Sequence, residues 1–107
     1  MPTYVIVNRA PEGYRGSAES LQDWNAWFDG LGAHLADRGN PVFRRAAVGR
    51  CTTDTVLGGY TLITADDLDA AVALTAGCPA LGYGGGVEVG ELTELNRGTG
   101  QITDTPA

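Results

Sequence analysis

The sequence predicts a single α+β domain, and three observations support this fold class. The chain has 107 residues, the length of one ordinary domain. Short apolar runs of strand length alternate with two longer stripes at helical spacing, and glycines and prolines separate them. Within residues 58–74 the apolar spacing changes from two residues to a helical period. A strand that leads directly into a helix is therefore the central unit of the predicted fold.

The first half of the chain predicts a strand and a long helix. Residues 4–7 are apolar on both faces, as in a strand that is covered on both sides. A helix is predicted over residues 20–38, where one apolar stripe comprises Leu21, Trp24, Trp27, Phe28, Leu31 and Leu35. Gly39 is expected to end this helix, because glycine readily adopts the left-handed conformation that closes a helix, and Pro41 follows. The two tryptophans indicate core packing more than a cofactor platform.

The second half predicts three strands and a second helix. The strands are residues 42–48, 60–64 and 87–92. The helix lies between the last two strands, and its stripe comprises Leu68, Ala71, Val72 and Thr75. Thr64 and Asp66 are its candidate caps, and Gly77 with Pro79 is expected to end it.

The predicted order is therefore β-α-β-β-α-β, which corresponds to a ferredoxin-like arrangement. Its four strands form an antiparallel sheet, and both helices lie on one face of that sheet. Residues 1–95 form this domain, and residues 96–107 are expected to form a polar tail. Because two helices cover only one face of an apolar sheet, we expect a homodimer that pairs through the other face as a dimeric α/β barrel.

Composition narrows the classes of function. The chain carries a formal charge of −6, with thirteen acidic residues against seven arginines and no lysine. This balance argues against nucleic acid, whose phosphates attract a concentrated positive surface, and it excludes a lysine Schiff base. No apolar stretch reaches the roughly 20 residues that span a membrane. With no signal peptide in view and only two cysteines, we expect a cytoplasmic protein without a disulfide framework.

Four segments of the second half together resemble the YCII-related proteins, and most closely their DGPF branch. They are Gly58-Gly59-Tyr60, the strand and helix through Ala71-Val72-Ala73-Leu74, Gly77-Cys78-Pro79, and Gly85-Gly86-Val87-Glu88-Val89. The resemblance covers residues 3–95 and implies a ferredoxin-like fold assembled as a dimeric α/β barrel. Some YCII-type members resemble hydrolases or dehalogenase-like enzymes and are thought to use a helix histidine with an aspartate. Related barrels act as cofactor-free oxygenases.

His34 and Asp37 are the candidate catalytic pair. On one helix they would lie three residues apart and could touch, and a carboxylate can fix the tautomer of an acid–base histidine. The resemblance places the family's aspartate at Asp37, whereas the family's histidine position falls near Phe28. The alternative is that His34 is an ordinary residue at the boundary of the core. With a single histidine in the chain, a histidine-based metal site is not expected, and we predict no cofactor.

Arg44, Arg45, Tyr60 and Glu88 are the candidate substrate-binding residues, since they come from strands that could line a pocket. An arginine that reaches a cleft can bind a small carboxylate. The loop at residues 8–17 is either a surface connection or the rim of such a pocket.

Two hypotheses follow from these candidates. One is a small-molecule-binding protein whose reaction, if it has one, is metal-free acid–base chemistry. The other is a non-catalytic accessory module that binds a ligand or a protein. A cavity with convergent His, Arg and Tyr would favour the first hypothesis. A closed space filled by tryptophan would favour the second.

Overall fold

The structure is a computed structural model that describes residues 1–51 and 54–106. In chain order its elements are β1 (Thr3–Ala10), α1 (Ala18–Leu31), a 3₁₀ turn (Gly32–His34), β2 (Leu35–Asp37), β3 (Val56–Thr64), α2 (Leu68–Leu74), α3 (Pro79–Gly82), β4 (Gly86–Glu91), β5 (Thr93–Leu95) and β6 (Ile102–Pro106). The first four strands form one antiparallel sheet in the order β2-β3-β1-β4. The α+β class and the four-stranded antiparallel sheet are thus confirmed, and this arrangement is compatible with a ferredoxin-like fold.

The helices pack on one face of this sheet because the strands alternate strictly. Tyr4 and Ile6 of β1 are buried, and Ile63 and Thr61 lie opposite them in β3 and are buried as well. On the helix side this layer packs against Trp27, Leu31, Ala71, Cys78 and Ala80. The alternate residues Val5, Val7 and Leu62, which we call the open face, are only half-buried in the single chain.

The predicted extent of the first helix is wrong at its C-terminal end. Helix α1 ends at Leu31, because Gly32 adopts φ 55° and its N–H closes the last turn on the carbonyl of Asp29. At its other end Ser17 and Ser20 form a capping box, in which the Ser20 N–H donates to Ser17 Oγ over 3.1 Å.

The prediction of a second strand at residues 42–48 is also wrong. Strand β2 is the earlier segment Leu35–Asp37, which pairs with β3. Gly39 still has the predicted positive φ of 69°, but it follows β2 instead of a helix. A Cβ atom at this position would overlap the carbonyl of Tyr60, which explains why glycine is required here.

Three smaller differences concern helix α2, the segment that follows it and the C-terminal segment. Asp67 caps α2, with its Oδ1 accepting from the Ala70 N–H over 2.8 Å, so neither predicted cap is used. Beyond α2, Pro79 starts the short helix α3 instead of only stopping the chain. Part of the predicted tail forms β6, which pairs with β5, and Ala107 lies outside the described residues.

Candidate functional site: a pocket between the first helix and the sheet

A cavity of about 300 Å³ lies between α1 and one end of the sheet. It is bounded by the C-terminal half of β1, the middle of β3, one side of α1 from Ser20 to Phe28, and the segment after β2. Loop residues 14–17 and Tyr83, the residue after α3, complete its wall. Its volume is at the lower end of the range of about 300–1,000 Å³ that is typical of small-molecule pockets.

The cavity opens where the helix-facing side chains of β1 change from large and apolar to polar or small. Tyr4 and Ile6 fill the layer, but the next two residues on that face are Asn8 and Ala10, which line the cavity. The Asn8 amide lies over two glycines of β3. A Cβ atom at Gly58 would come within 2.6 Å of Asn8 Oδ1 and within 3.3 Å of the Asn8 carbonyl oxygen. The glycine pair therefore makes room for a polar side chain inside the pocket.

The Asn8 amide has no hydrogen-bond partner among residues 1–51 and 54–106. It is half-buried, and its oxygen and nitrogen can each take part in hydrogen bonds. An amide of this kind is available to a bound molecule.

Aromatic rings form much of the wall. Trp24 and Phe28 of α1 contact each other with ring centroids 5.8 Å apart. Tyr14 from the loop stacks on Tyr83, with centroids 5.2 Å apart and planes inclined by 24°. The Arg38 guanidinium lies 4.5 Å above the Phe28 ring, a cation–π contact that holds a positive charge beside the aromatic wall.

The charge of the wall is opposite to that of the whole chain. Four of the seven arginines line the cavity, and they are Arg9, Arg15, Arg38 and Arg45. No aspartate or glutamate of the described part of the chain is among the lining residues. Arg38 donates to the side-chain oxygen of Asn25, and Arg45 to the carbonyl of Val42 over 3.0 Å, so these acceptors leave both guanidinium charges unneutralised. A protein of net charge −6 thus presents a positive pocket.

The two tyrosines differ in their hydrogen bonds. The Tyr83 hydroxyl donates to Asp23 Oδ2 over 2.7 Å, and this bond, with burial and the negative charge of Asp23, raises the pKa of Tyr83 well above its usual range. The Tyr14 hydroxyl is buried and has no hydrogen-bond partner among the described residues. Tyr83 is therefore fixed as a neutral donor to Asp23, whereas Tyr14 retains hydrogen-bonding capacity.

The structure places His34 and Asp37 on different elements. His34 belongs to the 3₁₀ turn, and its Nδ1 lies 2.8 Å from the Thr64 carbonyl oxygen, to which it must donate. Asp37 is exposed at the end of β2, where its Oδ1 accepts from the Gly39 N–H over 2.8 Å. The helix that would have held them one turn apart ends before either residue, and neither lines the cavity.

The four predicted binding residues divide into two pairs. Arg45 and Tyr60 line the cavity. Arg44 is exposed beside Arg45 but is not part of the lining, and Glu88 is exposed on β4 opposite Val7.

Sequence reasoning did not single out Asn8, Arg38 or Tyr83. The available signal was the loop at residues 8–17, where two arginines and Tyr14 follow a buried strand. The interpretation of this loop as a pocket rim agrees with Arg9, Tyr14 and Arg15 as lining residues.

Comparison with known proteins gives no assignment. The chain matches no model of a known protein family, and no curated protein sequence matches it. The resemblance to the YCII-related proteins stays a prediction.

Two further features of the described residues concern metal binding and membrane insertion. In this part of the chain no three His, Cys, Asp or Glu side chains are grouped as metal ligands would be. None of the helices formed by these residues has both the length and the apolar character needed to cross a bilayer.

Proposed function

We propose that the protein binds a small organic anion with an aromatic body in the pocket between α1 and the sheet. The observation that carries this proposal is the wall itself, in which four arginines accompany six aromatic side chains and no acidic residue of the described part of the chain. Guanidinium groups bind carboxylates through charge-assisted hydrogen bonds, and aromatic rings stack on flat apolar ligands.

The volume limits the size of this ligand. A cavity of about 150 Å³ can hold one benzene molecule. The pocket here, at about 300 Å³, has room for one or two fused rings with an acidic substituent. Benzoate and 2-naphthoate are therefore the simplest test ligands.

The lining supports binding better than acid–base catalysis. It contains Arg and Tyr but no His, Cys, Asp or Glu within the described residues. Arginine stays protonated, and the raised pKa of Tyr83 keeps its hydroxyl neutral, so neither supplies a general base at neutral pH. This favours a ligand-binding module over an enzyme that uses His34 and Asp37.

The test is calorimetric titration with each acid and its uncharged amide, benzamide or 2-naphthamide. We expect at least one acid to bind about tenfold more tightly than its amide, because a hydrogen bond to a charged group contributes about 1.5–3 kcal/mol. Arg45→Gln should remove most of that difference. Arg44→Gln is the matched control, since the neighbouring arginine does not line the cavity, and it should leave the affinity unchanged. Equal binding of acid and amide would contradict the proposal.

We also propose that two copies pair through the open face of the sheet, the assembly that the resemblance to the YCII-related proteins implies. The supporting observation is that Val5, Val7 and Leu62 stay half-exposed on the face without helices, although they are apolar. Light scattering of the purified protein should return the mass of two chains. Leu62→Glu should return the mass of one chain, whereas Val72→Glu, an equivalent change on an exposed position of α2, should leave the dimer intact. A single-chain mass for the unmodified protein would contradict pairing.

A further inference from the structure

We infer that the ligand is a hydroxylated aromatic acid, whose ring oxygen is recognised by Tyr14 and Asn8. This inference rests on the proposed function, since it adds a second polar group to the same ligand. It assigns the anionic group to the arginines and the uncharged group to the two side chains whose hydrogen-bonding capacity is unused.

The Tyr14 hydroxyl provides the stronger of the two observations. Its hydroxyl is buried, although it makes no hydrogen bond with the described residues. Buried polar atoms in proteins nearly always have a partner, and leaving one without a partner costs stability. The phenol that stacks on Tyr14 is Tyr83, which donates its proton to Asp23 and forms no hydrogen bond with the Tyr14 hydroxyl. A hydroxyl group of the ligand would supply the hydrogen-bond partner that the Tyr14 hydroxyl lacks.

Asn8 provides the second observation independently. It occupies a strand position at which β1 otherwise turns Tyr4 and Ile6 into the core, so that a polar residue at this place has a local cost. Gly58 and Gly59 accommodate the amide, since Cβ atoms there would lie 2.6 Å from its oxygen and 3.2 Å from its nitrogen. The two glycines thus make space for an amide that forms no hydrogen bond with the described residues.

The chemistry of the two groups indicates an uncharged oxygen as their target. A phenol hydroxyl and a carboxamide each donate and accept, so together they match a hydroxyl group, which also does both. An acidic group of the ligand would bind to the surrounding guanidiniums in preference to these two uncharged side chains. Sites that hydrogen-bond a substrate hydroxyl discriminate strongly against analogues without it, because their own polar groups are then left unpaired.

The experiment is a cycle of ligands and variants, measured by calorimetric titration. Benzoate and 2-naphthoate are compared with their hydroxylated positional isomers on the unmodified protein, on Tyr14→Phe and on Asn8→Leu. Both substitutions keep the shape of the side chain and remove the polar group. We expect at least one isomer to bind about tenfold more tightly than its parent acid, since such a hydrogen bond contributes about 1.4 kcal/mol. We expect this advantage to fall to about threefold or less in one variant or both.

The outcomes separate this inference from the proposal on which it rests. If no acid binds the unmodified protein, both fail. If the parent acids bind and no isomer gains, the inference fails while the anion site stands. It also fails if the advantage of an isomer is unchanged in both variants. Affinity for the parent acids serves as the folding control, because neither substitution removes an arginine, and Tyr14→Phe alone decides the matter if Asn8→Leu does not fold.

Discussion

The two ends of the layer between α1 and the sheet differ sharply in how they are filled. At one end Tyr4, Ile6 and Ile63 pack against Trp27 and Leu31, and each of these side chains is buried. At the other end the same strand presents Asn8 and Ala10 and the same helix presents Trp24 and Phe28, and a cavity remains.

One pair of elements can therefore serve both stability and binding. Tightly filled interiors contribute most of the free energy of folding, whereas a cavity gives up some of that contribution. Because the change from one to the other falls between Ile6 and Asn8, substitutions on either side of this boundary should affect different measurements.

The largest expected effect comes from the two tryptophans of α1. Trp27 is buried, and its Nε1 donates to the carbonyl of Leu74 over 3.1 Å, whereas Trp24 is only partly buried and lines the cavity. Trp27→Ala should lower the free energy of unfolding by about 3–5 kcal/mol. Trp24→Ala should lower it by about 1–2 kcal/mol. Denaturant titration of both variants measures the difference.

Binding should respond in the opposite order. Loss of a ring that stacks on the ligand should weaken benzoate or 2-naphthoate about three- to tenfold in Trp24→Ala, and Trp27→Ala should leave the affinity nearly unchanged under conditions where it is folded. Equal losses of stability in the two variants would show that the layer is filled uniformly.

The comparison also explains which parts of the fold could be predicted from the sequence. The strand-to-helix stretch was predictable because its apolar spacing changes from two residues to a helical period, although Asp67 and neither of the predicted residues caps the helix. The end of α1 was not. Gly32 and Gly39 both adopt positive φ, and only the pairing of Leu35 with Ile63 decides that the chain is already a strand between them. Leu35 continues the apolar stripe because it still faces the core.

For the site, the sequence indicated the types of residue involved but not which of them lie together in the folded structure. Arg45 was predicted from a strand that does not form, and it reaches the cavity because residues 38–45 run along it. Asn8 and Tyr83 are 75 positions apart in the chain, and only the tertiary structure brings them to one wall. Contacts of this kind leave no local pattern that periodicity could detect.

Alkaline pH should weaken the filled end through Cys78. Burial raises the pKa of this thiol above its ordinary value of 9.0, and a smaller contribution from the Ala80 backbone lowers it. Because the folded-state pKa is the higher one, the stabilisation is complete below pH 9.0 and is lost as the pH rises toward the folded-state pKa. The slope can reach about 1.4 kcal/mol per pH unit.

Melting temperatures between pH 8 and 11 would measure this loss. Cys78→Ala should flatten the decline just above pH 9, whereas Cys51→Ala, which removes an exposed thiol, should not change it. Identical pH profiles for the two variants would rule out the buried thiol as the titrating group.

The smallest expected effect concerns His34, which lies at neither end of the layer. Its Nδ1 donates to the Thr64 carbonyl and so joins the turn before β2 to the end of β3. His34→Ala should lower the free energy of unfolding by about 1 kcal/mol, the contribution of one such hydrogen bond. Asp37→Asn should cost less, because the asparagine oxygen can still accept from the Gly39 N–H.

Affinity for the aromatic acids shows whether His34 and Asp37 act only on stability or also on the ligand. Since neither residue lines the cavity, both variants should bind within about twofold of the unmodified protein, whereas Arg45→Gln should lose affinity and keep its stability. A positioned acid–base group contributes about 10²- to 10⁴-fold to a rate. If a substrate of the pocket is found and both variants lose turnover on that scale, His34 and Asp37 act on the ligand after all. The ligand would then have to extend from the arginine-lined cavity to the end of β3 at Thr64, where His34 lies, and the cavity would be only part of the site.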